Sequence, residues 1–179
     1  GVFFGIMIFQ LLAVIALSAA VQRMSVALAA TIYALYATLV GVTFSVLFLA
    51  YSIQSISLAF FTTAFSFAGL SLYGFLTKRD LGPIGSFCIM GLFGMIAVML
   101  LSIFIPSMMN TSLQLTISVI GVLIFSGLTA YDTQKIKALQ YQFASEEQAR
   151  KGAIHGALIL YLDFINLFIS ILRLMGNRR

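Results

Sequence analysis

Apolar runs long enough to cross a lipid bilayer follow one another along the whole chain, with only short polar breaks between them. Six can be drawn: Val2 to Val21, Val26 to Ala50, Ser57 to Leu76, Ile84 to Ile105, Leu113 to Tyr131 and Gly152 to Met175. Each is near the ~20 residues that a hydrocarbon core requires of a helix. With 61% hydrophobic and 8% charged residues and a mean hydropathy of +1.10, these side chains exceed what one water-soluble core could bury. The pattern predicts an all-α fold, a polytopic transmembrane helical bundle of six helices forming a single transmembrane domain over residues 1–179. The breaks carry turn signals: "QRMS", "YSIQS", "TKRDLGP", "PSMMNTS" and the long polar "TQKIKALQYQFASEEQARK" before the last run.

A net charge of +5 would suggest a nucleic-acid partner in a soluble protein, but here topology accounts for it and no nucleic acid is expected. Arg23, Lys78, Arg79, Lys135, Lys137, Arg150 and Lys151 all fall on one side of the six-run drawing, whereas the two loops on the other side carry no charge. The positive-inside rule makes the charged side cytoplasmic. Residue 1 then starts outside, which predicts at least one more helix upstream in the intact protein; the apolar run begins at Gly1 without an initiator Met or the marks of a signal peptide. One detail conflicts. If the last run crosses fully, Arg173, Arg178 and Arg179 lie on the outer side, so either that run is re-entrant or broken, or the earlier loops outweigh a local violation. The single cysteine, Cys88, excludes an internal disulfide and reads as a small core residue.

The last run carries a carboxylate at its centre, in "ILYLDFINLF". An ionised Asp in mid-membrane costs about 2.5–3.5 kcal/mol on insertion scales, so Asp163 is expected to face the bundle interior or a wet cavity and to find a partner there. At about 100° per residue, Gly152, Gly156, Asp163, Asn166 and Ser170 share one face, and Ile154, Leu158, Tyr161, Ile165, Phe168 and Leu172 cover the other. Small residues one turn apart let a second helix approach closely. This places the last helix centrally, acid inward.

Of the remaining acids, Asp80, Glu146 and Glu147 lie in polar connections and read as solvated. Asp132 instead ends an apolar helix in "GLTAYDTQKIK", with Gly121, Phe125, Leu128 and Thr129 on its own face. An ion pair with Lys135 at i+3 is its bland reading; Arg23, ending the first run on the same side, offers a second partner and is otherwise a snorkelling topology marker.

These segments, "GLTAYDTQKIK" and "LYLDFINLFISILRLMG", together with "SLYGFLTKRDLG" and "LYATLVGVTFS" in the same order, closely resemble the Bax inhibitor family of transmembrane Bax-inhibitor-motif proteins, bacterial members especially, over essentially the whole chain. The resemblance implies a seven-helix bundle around a central C-terminal helix, here without its first helix, acting as a pH-sensitive calcium leak. It makes Asp132 and Asp163 the pH sensor and ion-binding pair, and Arg23 a gating latch to the first of them. Some members carry an acid where Gln10 stands, so the role of that acid does not transfer. Two nearby carboxylates in a poorly hydrated bundle cannot both ionise cheaply and titrate as one unit. With a shared proton they hold two helices together; with both ionised they repel, and a cation or Arg23 compensates.

Calcium prefers 6 to 8 oxygen ligands, and Asp132 and Asp163 with Asn166 as an auxiliary polar ligand fall short of a dedicated cage. Weak binding suits a leak, because the ion must also leave. The residues fit a proton or monovalent cation as well; calcium follows from the resemblance alone. No tightly bound cofactor is expected, and no enzymatic activity. An intramembrane aspartyl protease would share the Tyr131–Asp132 pair, but its second motif, Gly-x-Gly-Asp, is not met by Leu160, Tyr161 and Leu162 before Asp163. A serine intramembrane hydrolase lacks a Ser and His pair at a known spacing. The other alternative is a non-conducting regulator that binds another membrane protein such as a membrane-bound protease. His155, the only histidine, reads as a packed imidazole; Gly69, Gly74, Gly91 and Gly94 read as helix contacts; Thr43, Ser45, Thr62, Thr63, Ser66 and Ser126 read as bonded to their own backbones. Compact loops point to a bacterial plasma (inner) membrane.

Overall fold

The computed structural model describes Val14 and residues 23–176. Apart from Val14, the first apolar run, with Gln10 in it, and Arg178 and Arg179 lie outside the described residues. Within them the secondary structure is helical throughout, without a strand. Helix α1 spans Val26–Phe44, α2 Leu47–Ala50, α3 Ile53–Leu76, α4 Gly82–Phe104, α5 Thr111–Gln140 and α6 Glu146–Met175. A 3-10 turn, Pro106–Met108, joins α4 to α5. Five helical segments are long and apolar enough to cross a membrane, with α1 and α2 together forming the first.

The residues flanking each helix explain where it starts. Ser25, Ser52, Asn110 and Ser145 each turn a side-chain oxygen onto the amide three residues on, filling one of the donors that a helix N-terminus leaves open. Pro83 sits in the first turn of α4, where its missing N–H costs nothing. Between α1 and α2, Ser45 breaks the helix. Its Oγ donates to Val42 O at 2.7 Å and its N–H donates to the same carbonyl at 3.1 Å, an i−3 pattern that tightens the turn and ends the α ladder.

The long polar connection expected before the last run is mostly helix. "TQKIKALQ" continues α5, "EEQARK" opens α6, and only Tyr141–Ser145 is left as a loop. The reason is local. Ser145 accepts from Gln148 N–H at 3.2 Å and Gln148 Oε1 accepts from Ala144 N–H at 3.1 Å, a variant of the capping box. Glu146 and Glu147 then pair with Arg150 at 2.5 Å and Lys151 at 2.8 Å, in the Glu-before-base order that supports a helix. At 30 residues each, α5 and α6 are about 45 Å long and outreach a hydrocarbon core of about 30 Å.

The two long helices form the centre. Helix α5 packs on α3, α4 and α6, while α6 packs on α5, α3 and α1. No residue of α6 from Leu158 to Leu172 is exposed, so the apolar face with Leu158, Phe168 and Leu172 is buried as fully as the face with Asp163. A helix covered on all sides is the core of a bundle. It is also continuous. Its last residues reach the far side, where Gly176 packs on Tyr51 in the α2–α3 link and Arg173 stands beside Thr111 and Gln114 at the start of α5. The last run therefore crosses fully, and Arg173 is a local exception to the charge rule, held there by the packing around α6. Large apolar side chains on the outer surfaces of α1, α3 and α4, such as Leu35, Phe65 and Phe93, remain exposed to lipid.

Close packing needs missing side chains at particular points. A Cβ at Gly74 would collide with the Ala130 carbonyl, and one at Gly91 would come to 2.7 Å from Ile124 Cδ1. Gly69 and Gly94, expected as contacts too, have nothing within 4 Å and are exposed, because their register turns them away from α5 and α6. Gly74→Ala should lower the melting temperature in detergent, an overpacking cost of about 1–3 kcal/mol. Gly69→Ala should leave it unchanged or raise it, since Ala is the better helix former. Equal melting temperatures for the two variants would contradict the packing of α3 on α5.

Candidate functional site: a carboxyl pair between the two central helices

Helices α5 and α6 run antiparallel, and their register is fixed by glycines. Toward the outer side, Gly121 packs on Ser170, where a Cβ would come to 2.6 Å from Oγ. Toward the charged side, Gly156 packs on Ile136, where a Cβ would come to 3.0 Å from Cγ2. Between these points the same register sets Asp132 opposite Asp163. The two carboxyl groups are within side-chain hydrogen-bonding reach of each other. Asp163 is 5% exposed, and its buried Oδ2 has no hydrogen-bond partner. Ionised carboxylates are acceptors only, so such a contact is a hydrogen bond only when one of the two holds a proton.

The helix faces that carry the pair are largely apolar. On α5, Gly121, Phe125, Leu128 and Thr129 are all buried, and Thr129 Oγ1 donates to Phe125 O at 2.7 Å. On α6, Phe164 follows Asp163 directly and packs edge-on against Phe60 and Phe67 of α3, with ring centroids 5.9 and 5.4 Å away. Tyr161 packs edge-on against Tyr33 and Tyr36 of α1.

The other expected site residues stand further out. Lys135 is exposed, 5.7 Å above the ring of Tyr131, and acts on Asp132 through its field. The ion pairs among the described residues are Glu146–Arg150 and Glu147–Lys151, so neither Lys135 nor Arg23 bridges Asp132. Arg23 is exposed just before the cap of α1. Asn166 donates from Nδ2 to Leu162 O at 2.8 Å, which leaves its Oδ1 as the atom able to meet a cation. His155 Nδ1 is buried with no hydrogen-bond partner. Among the described residues no group of three or more His, Cys, Asp or Glu side chains is placed to hold a metal ion. Cys88 is buried in the main apolar cluster, and Thr43, Ser45 and Thr63 all donate to their own helix backbone.

Sequence reasoning missed the residues that hold the pair in place. Tyr131 packs its ring on Gly85, where a Cβ would come to 2.5 Å from Cγ. Gln134 Oε1 accepts from Leu81 N–H at 3.0 Å and its Nε2 donates to Arg79 O at 2.8 Å, clamping the α3–α4 link. Lys137 Nζ donates to Phe75 O at 2.7 Å, satisfying a carbonyl in the last turn of α3. The signal was the cluster "YDTQKIK" itself, in which five polar or aromatic side chains flank one acid.

The chain matches the family model described as "Inhibitor of apoptosis-promoting Bax1" over residues 1–179. It is 44% identical over 177 residues to inner membrane protein YbhL of Escherichia coli strain K12, covering 98% of this chain and 74% of that protein. It is also 44% identical over 174 residues to a protein of Deinococcus radiodurans, covering 97% and 74%. A Borreliella burgdorferi protein is 40% identical over 178 residues, covering 99% and 75%. Family match, apolar spans and helical architecture agree: this is an integral multi-pass membrane protein, and the chain belongs to the Bax inhibitor family.

Proposed function

We infer that the protein is a pH-sensitive cation leak, with calcium as the transported ion, in a bacterial inner membrane. One observation carries the reading: two carboxyl groups from separate central helices face each other in an apolar surrounding. Two like charges at that separation and depth are costly, so the pair favours one shared proton. The proton ties α5 to α6. When it leaves, the carboxylates repel, and a cation entering between them restores neutrality. Two carboxyls and the Oδ1 of Asn166 give a divalent ion few ligands, which suits passage rather than storage. Calcium itself comes from the resemblance to the family, and the inner membrane from similarity to a protein so described. Arg23, near the cytoplasmic end of α1, is the cation that would latch Asp132 after a shift of the first segment.

The test is calcium flux into liposomes containing the complete protein. Wild type should conduct in a pH-dependent way. Asp163→Asn and Asp132→Asn should each lose flux or its pH response, because an amide can hydrogen-bond to the remaining carboxyl but cannot exchange the proton. A flux and pH profile unchanged in both variants would reject the mechanism. Arg23→Ala should raise the basal flux at the pH where wild type is most closed; an unaltered basal flux would remove Arg23 from the gate.

A further inference from the structure

We propose that the groove between the cytoplasmic ends of α3 and α5 binds the phosphodiester headgroup of an anionic phospholipid. The groove has a volume of about 350 Å³ and is lined by Phe75, Thr77, Gln134, Lys137 and Tyr141, among others. That is ample for a glycerophosphate headgroup. The inference is independent of the leak mechanism.

Its basic group is fixed in advance. Lys137 Nζ donates to Phe75 O at 2.7 Å and lies 4.4 Å from the centroid of the Phe75 ring. One of its three donors is used, and two remain for an anion. Thr77 Oγ1 accepts from Arg79 N–H at 3.3 Å, so its own O–H is free to donate. The side-chain amide of Gln134 is spent on Arg79 O and Leu81 N–H; its part is to hold the segment with Lys78 and Arg79, both exposed, beside the groove.

No acid opposes these charges. Asp80 Oδ1 accepts from Gly82 N–H at 2.8 Å and so is turned toward the start of α4. Asp132 faces Asp163 in the interior, while Glu146 and Glu147 are paired with Arg150 and Lys151. The groove is therefore cationic on balance, at the level where positively charged loops meet headgroups.

The surroundings select a lipid over free phosphate. Tyr73, Phe75 and Leu76 are 50%, 47% and 64% exposed on the last turn of α3, giving an apolar surface for acyl chains directly below the groove. Tyr141, 83% exposed, stands at its lip as an aromatic side chain of the kind enriched at the membrane interface.

The experiment measures phosphatidylglycerol retained by the complete protein after purification in detergent, by native mass spectrometry, with phosphatidylcholine as the competitor. Wild type should retain phosphatidylglycerol preferentially. Lys137→Gln should reduce it by about fivefold, the effect of removing one headgroup-facing cation. Lys137→Arg should preserve it, and Arg150→Gln, at an exposed charge that does not line the groove, should not alter it. Because Lys137 also supports the end of α3, Lys78→Gln with Arg79→Gln is the second variant, and a reduction there at an unchanged melting temperature supports the site as well. Equal retention of both lipids overturns the proposal, as does an equal loss with Arg150→Gln. Displacement of phosphatidylglycerol by inorganic phosphate would reassign the groove to a free anion.

Discussion

Everything in this fold turns on bringing Asp132 and Asp163 face to face. Each acid alone, on one helix, would be a local expense that a neighbouring cation or a water-filled cavity could relieve. Placed opposite each other between α5 and α6, with neither in an ion pair among the described residues, each meets the other's charge directly, and only the field of Lys135 offsets it at Asp132. The contact is set by backbone approach. Gly121 and Gly156 remove the side chains that would keep the two helices apart above and below the acids, so the register does not depend on the carboxyls attracting each other. A pair held by packing can change its protonation without the bundle falling apart, which is what a switch requires.

The surrounding helices divide the work. Helices α3 and α4 hold the cytoplasmic end of α5 through Tyr131 on Gly85, Gln134 on the α3–α4 link and Lys137 on the end of α3. Helix α6 is gripped by aromatic side chains, Phe60 and Phe67 from α3 and Tyr33 and Tyr36 from α1. Among the described helices, α1 packs on the centre chiefly through α6, and it is interrupted at Ser45.

The sequence disclosed the parts of this arrangement that repeat or that carry a cost. Runs of apolar residues announced the spans, and an acid in such a run announced an inward face. Of the small residues on the face of Asp163, Gly156 marked where α5 approaches, whereas Gly152 meets Phe143 of the connecting loop. What escaped were features that depend on register between helices. Gly69 and Gly74 look alike in the sequence, yet only Gly74 meets α5, since which of two glycines touches a neighbour depends on rotation about the helix axis. The start of α6 within the polar connection was written in "SEEQARK", as a cap followed by two i,i+4 pairs, but overall polarity masked it. The role of Gln134 needed a partner 55 residues away, which no local pattern supplies.

The central claim is that the two acids share one proton. Infrared difference spectroscopy of the carboxyl C=O stretch, on the complete protein in lipid across a pH titration, reads that proton directly. The account predicts a protonated-carboxyl band in wild type at neutral pH that vanishes when Asp132 and Asp163 are both replaced by Asn. The absence of that band in wild type at neutral pH, with both groups ionised, would contradict it.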